Sequence, residues 1–287
     1  MRPDIVTFWH GPLDALRTLC LRSQVAAGHK VTVYSFDPVA GLPAGVGNAE
    51  AEAVLPRDFA EKLRPPQPDG SWRDWTTLQF SDFFRMRLMA QGAGLWLDAD
   101  VLLLKPVEID PAKPYFAWER PRQLGNSVLY LPAESPIVTA FAELMDQDEL
   151  TPNWLSLRHR MVFALRRLRG GSQRLSDIRV AIYGPAALTA LARRGGEIAH
   201  ALPRQSFYAV HAEPKLFFEP SDFSGLIADP AVIGLHISPK GRGFDADYEL
   251  IDGVHVYRHD LPPEGNSAGG YLREYGSALW NEWRLAM

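Results

Sequence analysis

The stretch Ser81–Val107, SDFFRMRLMAQGAGLWLDADVLLLKPV, decides the fold of this chain, because a helical pattern, a glycine-rich turn and an apolar strand follow one another in it and end on two carboxylates. Over Thr77–Gln91 the apolar residues Phe80, Phe83, Phe84, Leu88 and Met89 recur at helical spacing, and Gly92 stops that helix. Gly94 opens a short strand, Leu95–Leu97, and Lys105 and Pro106 close the segment beyond the next turn. In an extended backbone alternate side chains share a face, so this reading puts Asp98 and Asp100 on one side and the small Ala99 on the other. Two hard oxygen ligands so placed suit Mn2+ or Mg2+. Asp82 and Arg85 are three apart on the helix and therefore neighbours on one face, so a charged pair travels a short chain distance from the carboxylates.

On either side of this stretch short strands and helices alternate. Strands are predicted over Ile5–Trp9, Lys30–Phe36, Tyr115–Trp118, Ser127–Leu131, Val180–Ile182 and Val232–Ile237. Helices are predicted over Leu13–Ala27, ended by Gly28, and over Pro136–Met145, Trp154–Arg169 and Pro185–Arg194. The Pro- and Gly-rich runs Pro38–Gly47 and Pro65–Gly70 read as loops. The alternation predicts an α/β chain with a Rossmann-like, mostly parallel central sheet flanked by helices. With 287 residues, 46% of them apolar, and no internal repeat or low-complexity linker, residues 1–287 are expected to form one domain.

Composition excludes several function classes. A formal net charge of −4 gives no reason to expect a nucleic-acid partner. The one cysteine, Cys20, lies at helical spacing with Leu13, Leu16 and Leu19 and reads as a core residue, and no disulfide can form within the chain. The sequence enters its first strand without a basic-then-apolar export segment, and no apolar run approaches the roughly 18 residues that span a bilayer, so a soluble, cytoplasmic protein is expected. Neither G-x-G-x-x-G after the first strand nor G-x-x-x-x-G-K-[ST] is present. A bound diphosphate would need its positive charge from elsewhere, and a cation on Asp98 and Asp100 supplies it.

A bare Asp-x-Asp occurs by chance in many chains. Here Ser81, Asp82, Arg85, Gly92, Gly94, Trp96, Asp98 and Asp100 stand together in an order and spacing that resemble the donor-site signature of GT-A fold glycosyltransferases. The branch is that of the capsular-polysaccharide and yeast initiating mannosyltransferase-like enzymes, with the clostridial glucosylating toxins as distant relatives. The resemblance implies the GT-A fold and a metal-dependent, retaining transfer of a hexose from a nucleotide-diphosphate sugar, a UDP-sugar, to a hydroxyl of a saccharide, glycolipid or polysaccharide. It implies that Asp82 accepts hydrogen bonds from donor-sugar hydroxyls and that Arg85 contacts sugar or diphosphate oxygens, where a plain surface ion pair is the competing account. A leaving phosphate can itself take the acceptor proton in such a reaction, so no separate base is required.

Four further elements complete the candidate set. Phe8-Trp9-His10-Gly11 ends the first strand, where open α/β sheets bind ligands, and resembles the family's first-strand element that packs on base and ribose, with Trp9 stacking; a buried tryptophan before a turn glycine fits the same letters. Trp96 carries the same two readings, as ribose wall or core. His236, in VIGLHISPKGRG from Val232, is the implied third metal ligand, with Lys240 or Arg242 on the phosphates; a strand histidine before a surface loop is the alternative, and the family ending differs in often carrying Trp soon after the His. Asn126 resembles the family's strand Asn and either bonds the donor sugar or starts a strand. Tyr183-Gly184-Pro185 also resembles a family element, but a glycine before a first-turn proline has a sufficient structural account.

Arg158, Arg160, Arg166, Arg167, Arg169 and Arg174 give one region a basic character: either a solvated helix face or a surface that docks on anionic lipid or an acidic glycan, giving peripheral contact with the inner membrane. Tyr271–Trp283 is amphipathic and is expected to pack on the domain. Two other functions stay open: a catalytically silent sugar-nucleotide or glycan-binding module on the same fold, and a metal hydrolase built on His255 and His259, whose β-like surroundings argue against an i,i+4 pair on a helix.

Overall fold

The computed structural model describes residues 1–72, 76–171, 174–177, 180–209, 225, 228–237, 248–251 and 254–257. The first half runs β1 (Ile5–Phe8), α1 (Ala15–Ala26), β2 (Val31–Ser35), β3 (Val46–Glu50), α2 (Phe59–Leu63), α3 (Thr76–Ala90), β4 (Leu95–Leu97) and β5 (Val101–Leu103). It continues through β6 (Trp118–Arg120), β7 (Gln123–Leu124), β8 (Val128–Leu129), α4 (Pro136–Met145), α5 (Leu157–Leu168), α6 (Pro185–Gly195) and α7 (Gln205–Tyr208). The last described strands are β9 (Gly234–His236), β10 (Tyr248–Ile251) and β11 (Val254–Tyr257).

The central sheet has the order β3-β2-β1-β4-β8. Its first four strands are parallel and β8 runs antiparallel to β4, so the fold is α/β with a mostly parallel sheet flanked by helices, as expected. The order carries the main functional consequence of the fold. From β1 the chain steps to β2 and β3 on one side, then returns through α2 and α3 to β4 on the other side of β1. Connections leaving β1 and β4 therefore diverge, and the crevice at the carboxyl ends of these two strands is where an open α/β sheet takes a ligand.

The elements form for local reasons. α1 is capped by Asp14, whose carboxylate accepts from the backbone N–H of Arg17 at 2.8 Å and pairs with its buried guanidinium. Cys20 on α1 is fully buried. α3 is covered on nearly all sides: Phe84 meets Phe8 of β1 at 4.9 Å between ring centroids, while Phe83 meets Phe59 of α2 at 5.1 Å and Phe141 of α4 at 5.8 Å. It is thus the spine between sheet and outer helices. Gly94 is required before β4: at φ +133° it lets the strand close on β1, and a Cβ there would stand 2.3 Å from the carbonyl oxygen of Asp4, which accepts from the Leu95 N–H.

Three sequence expectations change. Val46–Glu50, partly assigned to the Pro38–Gly47 loop, is the edge strand β3, paired with β2; it carries Gly47, Asn48 and Glu50 at exposed positions, so no apolar alternation marks it. Val180–Ile182 is a turn of 3-10 helix ahead of α6 instead of a strand, a short apolar run whose periodicity alone does not separate the two. Tyr115 and Ala117 make single bridges to Tyr130 and Leu202, and the strand proper begins at Trp118. Among the described residues no helix is long and apolar enough to cross a membrane.

Candidate functional site

Asp98, the residue after β4, still holds the ladder: its N–H donates to the carbonyl of Ser127 at 2.8 Å. The chain then turns, and the N–H of Val101 donates to the carbonyl of Asp98 at 3.0 Å, so Asp98, Ala99, Asp100 and Val101 form a β-turn from β4 into β5. This corrects the extended geometry expected for the pair. The two carboxylates share a side because a turn folds them together, with Ala99 buried beneath.

The third candidate ligand comes from far along the chain. β5 pairs antiparallel with β9 in a register that sets Val101 opposite His236, and the N–H of Ile237 donates to the carbonyl of Asp100 at 3.0 Å. His236 Nε2 thereby lies 3.3 Å from Asp100 Oδ1 and 3.2 Å from the hydroxyl of Ser127. One donor atom from each of Asp98, Asp100 and His236 falls within 4.8 Å of the others.

That donor set fits a divalent cation. In an octahedron with bonds of about 2.1 Å, opposite ligands stand about 4.2 Å apart, so these three atoms need only sub-ångström adjustment to share one ion. Asp100 Oδ1 is buried and accepts no hydrogen bond of good geometry among the described residues; the His236 nitrogen near it is an electrostatic neighbour. A cation would satisfy it. Burial is the largest influence on both groups and works against their charged forms, yet each stabilises the charge of the other: Asp100 is held below the usual carboxylate range and His236 above the usual imidazole range. Two carboxylates and one imidazole suit Mn2+ or Mg2+, with the nitrogen favouring the former.

Beside this set lies a second network, centred on Arg85 of α3. The Arg85 guanidinium sits 3.5 Å from Asp82 and 3.4 Å from Asp98, donates to the carbonyl and hydroxyl of Ser81 at 3.1 and 3.0 Å, and donates to the carbonyl of Asn126. It also stacks 4.6 Å from the centroid of Trp96. The Asn126 amide donates to Asp82 at 2.7 Å. Asp82 and Arg85 are both buried, so their ion pair is not the solvent-exposed pair that i,i+3 spacing also allows.

The structure thus brings Asp82, Arg85, Trp96, Asp98, Asp100, Asn126 and His236 into one cluster. Trp96 is 1% exposed and its indole N–H donates to Asp98 Oδ1 at 2.7 Å; it holds a carboxylate and offers no wall to a ribose. Asp98 would accordingly meet a cation through its other oxygen. Phe8 and Trp9 stand at the end of β1, Phe8 inside the aromatic core and Trp9 with its N–H on the carbonyl of Pro12 at 3.1 Å and Arg17 5.4 Å from its ring. Lys240, Arg242, His259 and Tyr271–Trp283 lie outside the described residues. The backbone at His255 belongs to the β10–β11 hairpin, which is not helical.

Three site residues escaped the sequence reading. Ser127 contacts His236, and its only signal was adjacency to Asn126. Tyr208 packs edge-on to the His236 ring, centroids 5.4 Å apart, from a helix with no motif at all. Gly184, given a purely structural account, lies against the network: a Cβ there would stand 2.6 and 2.7 Å from the Asp82 oxygens and 2.8 Å from the Asn126 amide nitrogen.

No protein-family model and no curated protein matches the chain. A solved structure titled "PaToxG Glycosyltransferase" is similar to it over 67% of this chain and 70% of that one, with 13% sequence identity and a TM-score of 0.40. A likeness that low carries no weight for function, which rests on the geometry of the site.

Proposed function

We propose that this chain is a metal-dependent glycosyltransferase on a GT-A fold, moving a hexose from a UDP-sugar to a hydroxyl of a saccharide or glycolipid with retention of anomeric configuration. One observation supports the reading: two segments more than a hundred residues apart converge to place three side chains that could hold a cation, at the end of β4 where the sheet order reverses, with a buried Asp-Arg-Asn network against them. Bound there, Mn2+ or Mg2+ would neutralise charge on the leaving nucleotide diphosphate.

Asp98, Asp100 and His236 hold the cation in this proposal. Asp82 and Asn126 present an acceptor and a donor to hydroxyls of the transferred sugar, and Arg85 fixes both while setting the Asp98 carboxylate. Phe8 and Trp9 form the floor of the crevice on the nucleoside side, and Lys240 is assigned to the phosphates. A single domain, 1–287, carries all of these roles.

A thermal-shift panel of UDP- and GDP-sugars, each with and without Mn2+, tests the reading. UDP-sugars with Mn2+ are expected to raise the melting temperature more than the sum of either alone, because donor and ion occupy one site. Equal shifts with and without Mn2+ would refute the metal dependence. Donor binding without hydrolysis or transfer over long incubation would identify a silent binding module.

Gly184→Ala separates the two halves of the site. Its new methyl group would crowd Asp82 and Asn126, whereas the three proposed cation ligands come from the β4–β5 turn and β9. Turnover is expected to fall about a hundredfold, the cost of an ångström-scale misplacement, with Mn2+ affinity unchanged. Loss of Mn2+ binding in calorimetry, or full turnover, would contradict the assignment of Asp82 and Asn126 to the sugar.

A further inference from the structure

α5 differs from the rest of the described surface. Apart from Met1, every large apolar side chain exposed among the described residues lies on this helix: Leu157 (74%), Met161 (58%), Val162 (42%), Leu165 (49%) and Leu168 (84%). At 3.6 residues per turn Leu157, Met161, Leu165 and Leu168 form one stripe, and Val162 lies about 60° beyond Leu165. Phe163, the buried residue of the helix, points into the body from the opposite side. Arg158 and Arg169 flank one side of the stripe and Arg160 and Arg167 the other, all of them exposed.

The arginine run alone fits a solvated face, but the leucines do not. A wet face has no use for four large apolar side chains in register, and an acidic glycan offers them nothing to pack on. Two copies meeting stripe to stripe would bring like-charged arginine rims together. An anionic bilayer supplies both needs at once, an acyl boundary for the stripe and phosphates within reach of the long arginine stems. Arg167, which pairs with the exposed Glu149 at 3.4 Å, can trade that partner for a headgroup at little cost.

We propose that α5 docks the protein on an anionic lipid bilayer, lying in the plane of the interface with Leu157, Met161, Leu165 and Leu168 in the acyl boundary and the flanking arginines on headgroup phosphates. The inference is independent of the proposed chemistry, since no α5 residue belongs to the cation site.

Co-sedimentation of the 287-residue chain with vesicles tests it. The protein is expected to pellet with phosphatidylcholine–phosphatidylglycerol vesicles and not with phosphatidylcholine alone, less at high salt. Leu165→Glu with Leu168→Glu should cut the affinity more than about tenfold, and each of Arg158→Gln and Arg169→Gln about fivefold. These side chains are exposed, so melting temperatures should stay at the wild-type value; Leu168→Gln alone, at the most exposed position, repeats the test if the double variant melts lower. No pelleting with anionic vesicles would overturn the proposal. So would unchanged binding by the leucine variants, or a dimer in sedimentation equilibrium that the leucine substitutions dissolve.

Discussion

Asp100→Asn is expected to abolish divalent-cation binding and, with it, turnover, while the chain stays folded. The amide keeps the size of the carboxylate and leaves the backbone bond from Ile237 to the Asp100 carbonyl intact, so the β5–β9 junction survives. What it loses is the anionic charge on the oxygen that lacks a good hydrogen-bond donor and lies 3.3 Å from His236. Losing only a hydrogen-bond partner of a metal ligand typically costs about 10- to 100-fold in affinity, so losing the ligand itself should cost more than about a hundredfold. Calorimetric titration with Mn2+ checks this, with the exposed Asp110→Asn as control. Unchanged affinity in Asp100→Asn would remove it from the cation site.

Arg85→Met should have the largest effect on stability. Arg85 is a buried cation between two carboxylates, and its planar fork also serves the carbonyl groups of Ser81 and Asn126 and the face of Trp96. Methionine fills similar volume but removes the guanidinium charge from beside Asp82 and Asp98, which keep the Asn126 amide and the Trp96 indole as donors. Removing one partner of a buried pair costs about 3–5 kcal/mol, a large share of the roughly 5–15 kcal/mol that holds a typical protein folded. The midpoint of urea unfolding should fall accordingly. Arg85→Lys should recover part of that stability and little of the activity, because an ammonium neutralises charge but does not span both carboxylates. A midpoint within experimental error of wild type in Arg85→Met would show that the network does not hold the fold together.

Much of the cluster was legible in the chain because its residues lie in one local segment. Asp82, Arg85, Trp96, Asp98 and Asp100 are bound to proximity by a helix, a tight glycine turn and a three-residue strand, so spacing alone brought them near one another. The geometry between Asp98 and Asp100 was not legible, since alternation along a strand and the closure of a β-turn predict the same side for different reasons. Trp96 shows the opposite limit. Its sequence position fits a ligand wall as well as a buried prop, and only its burial and the bond to Asp98 distinguish them. β3 went unread because edge strands are held by backbone pairing, which leaves no mark on side-chain pattern.

The sequence by itself determined the alternating α/β class, the aromatic spine of α3 and the identity of two carboxylates, since each is written in local periodicity or spacing. Tertiary structure alone decided between His236 as a neighbour of Asp100 and His236 as a plain strand histidine, and it alone decided that Gly184 must lack a side chain and that the leucines of α5 face outward. These depend on strand register and helix docking between residues far apart in the chain, and the burial and cross-chain pairing that fix such contacts belong to the whole fold.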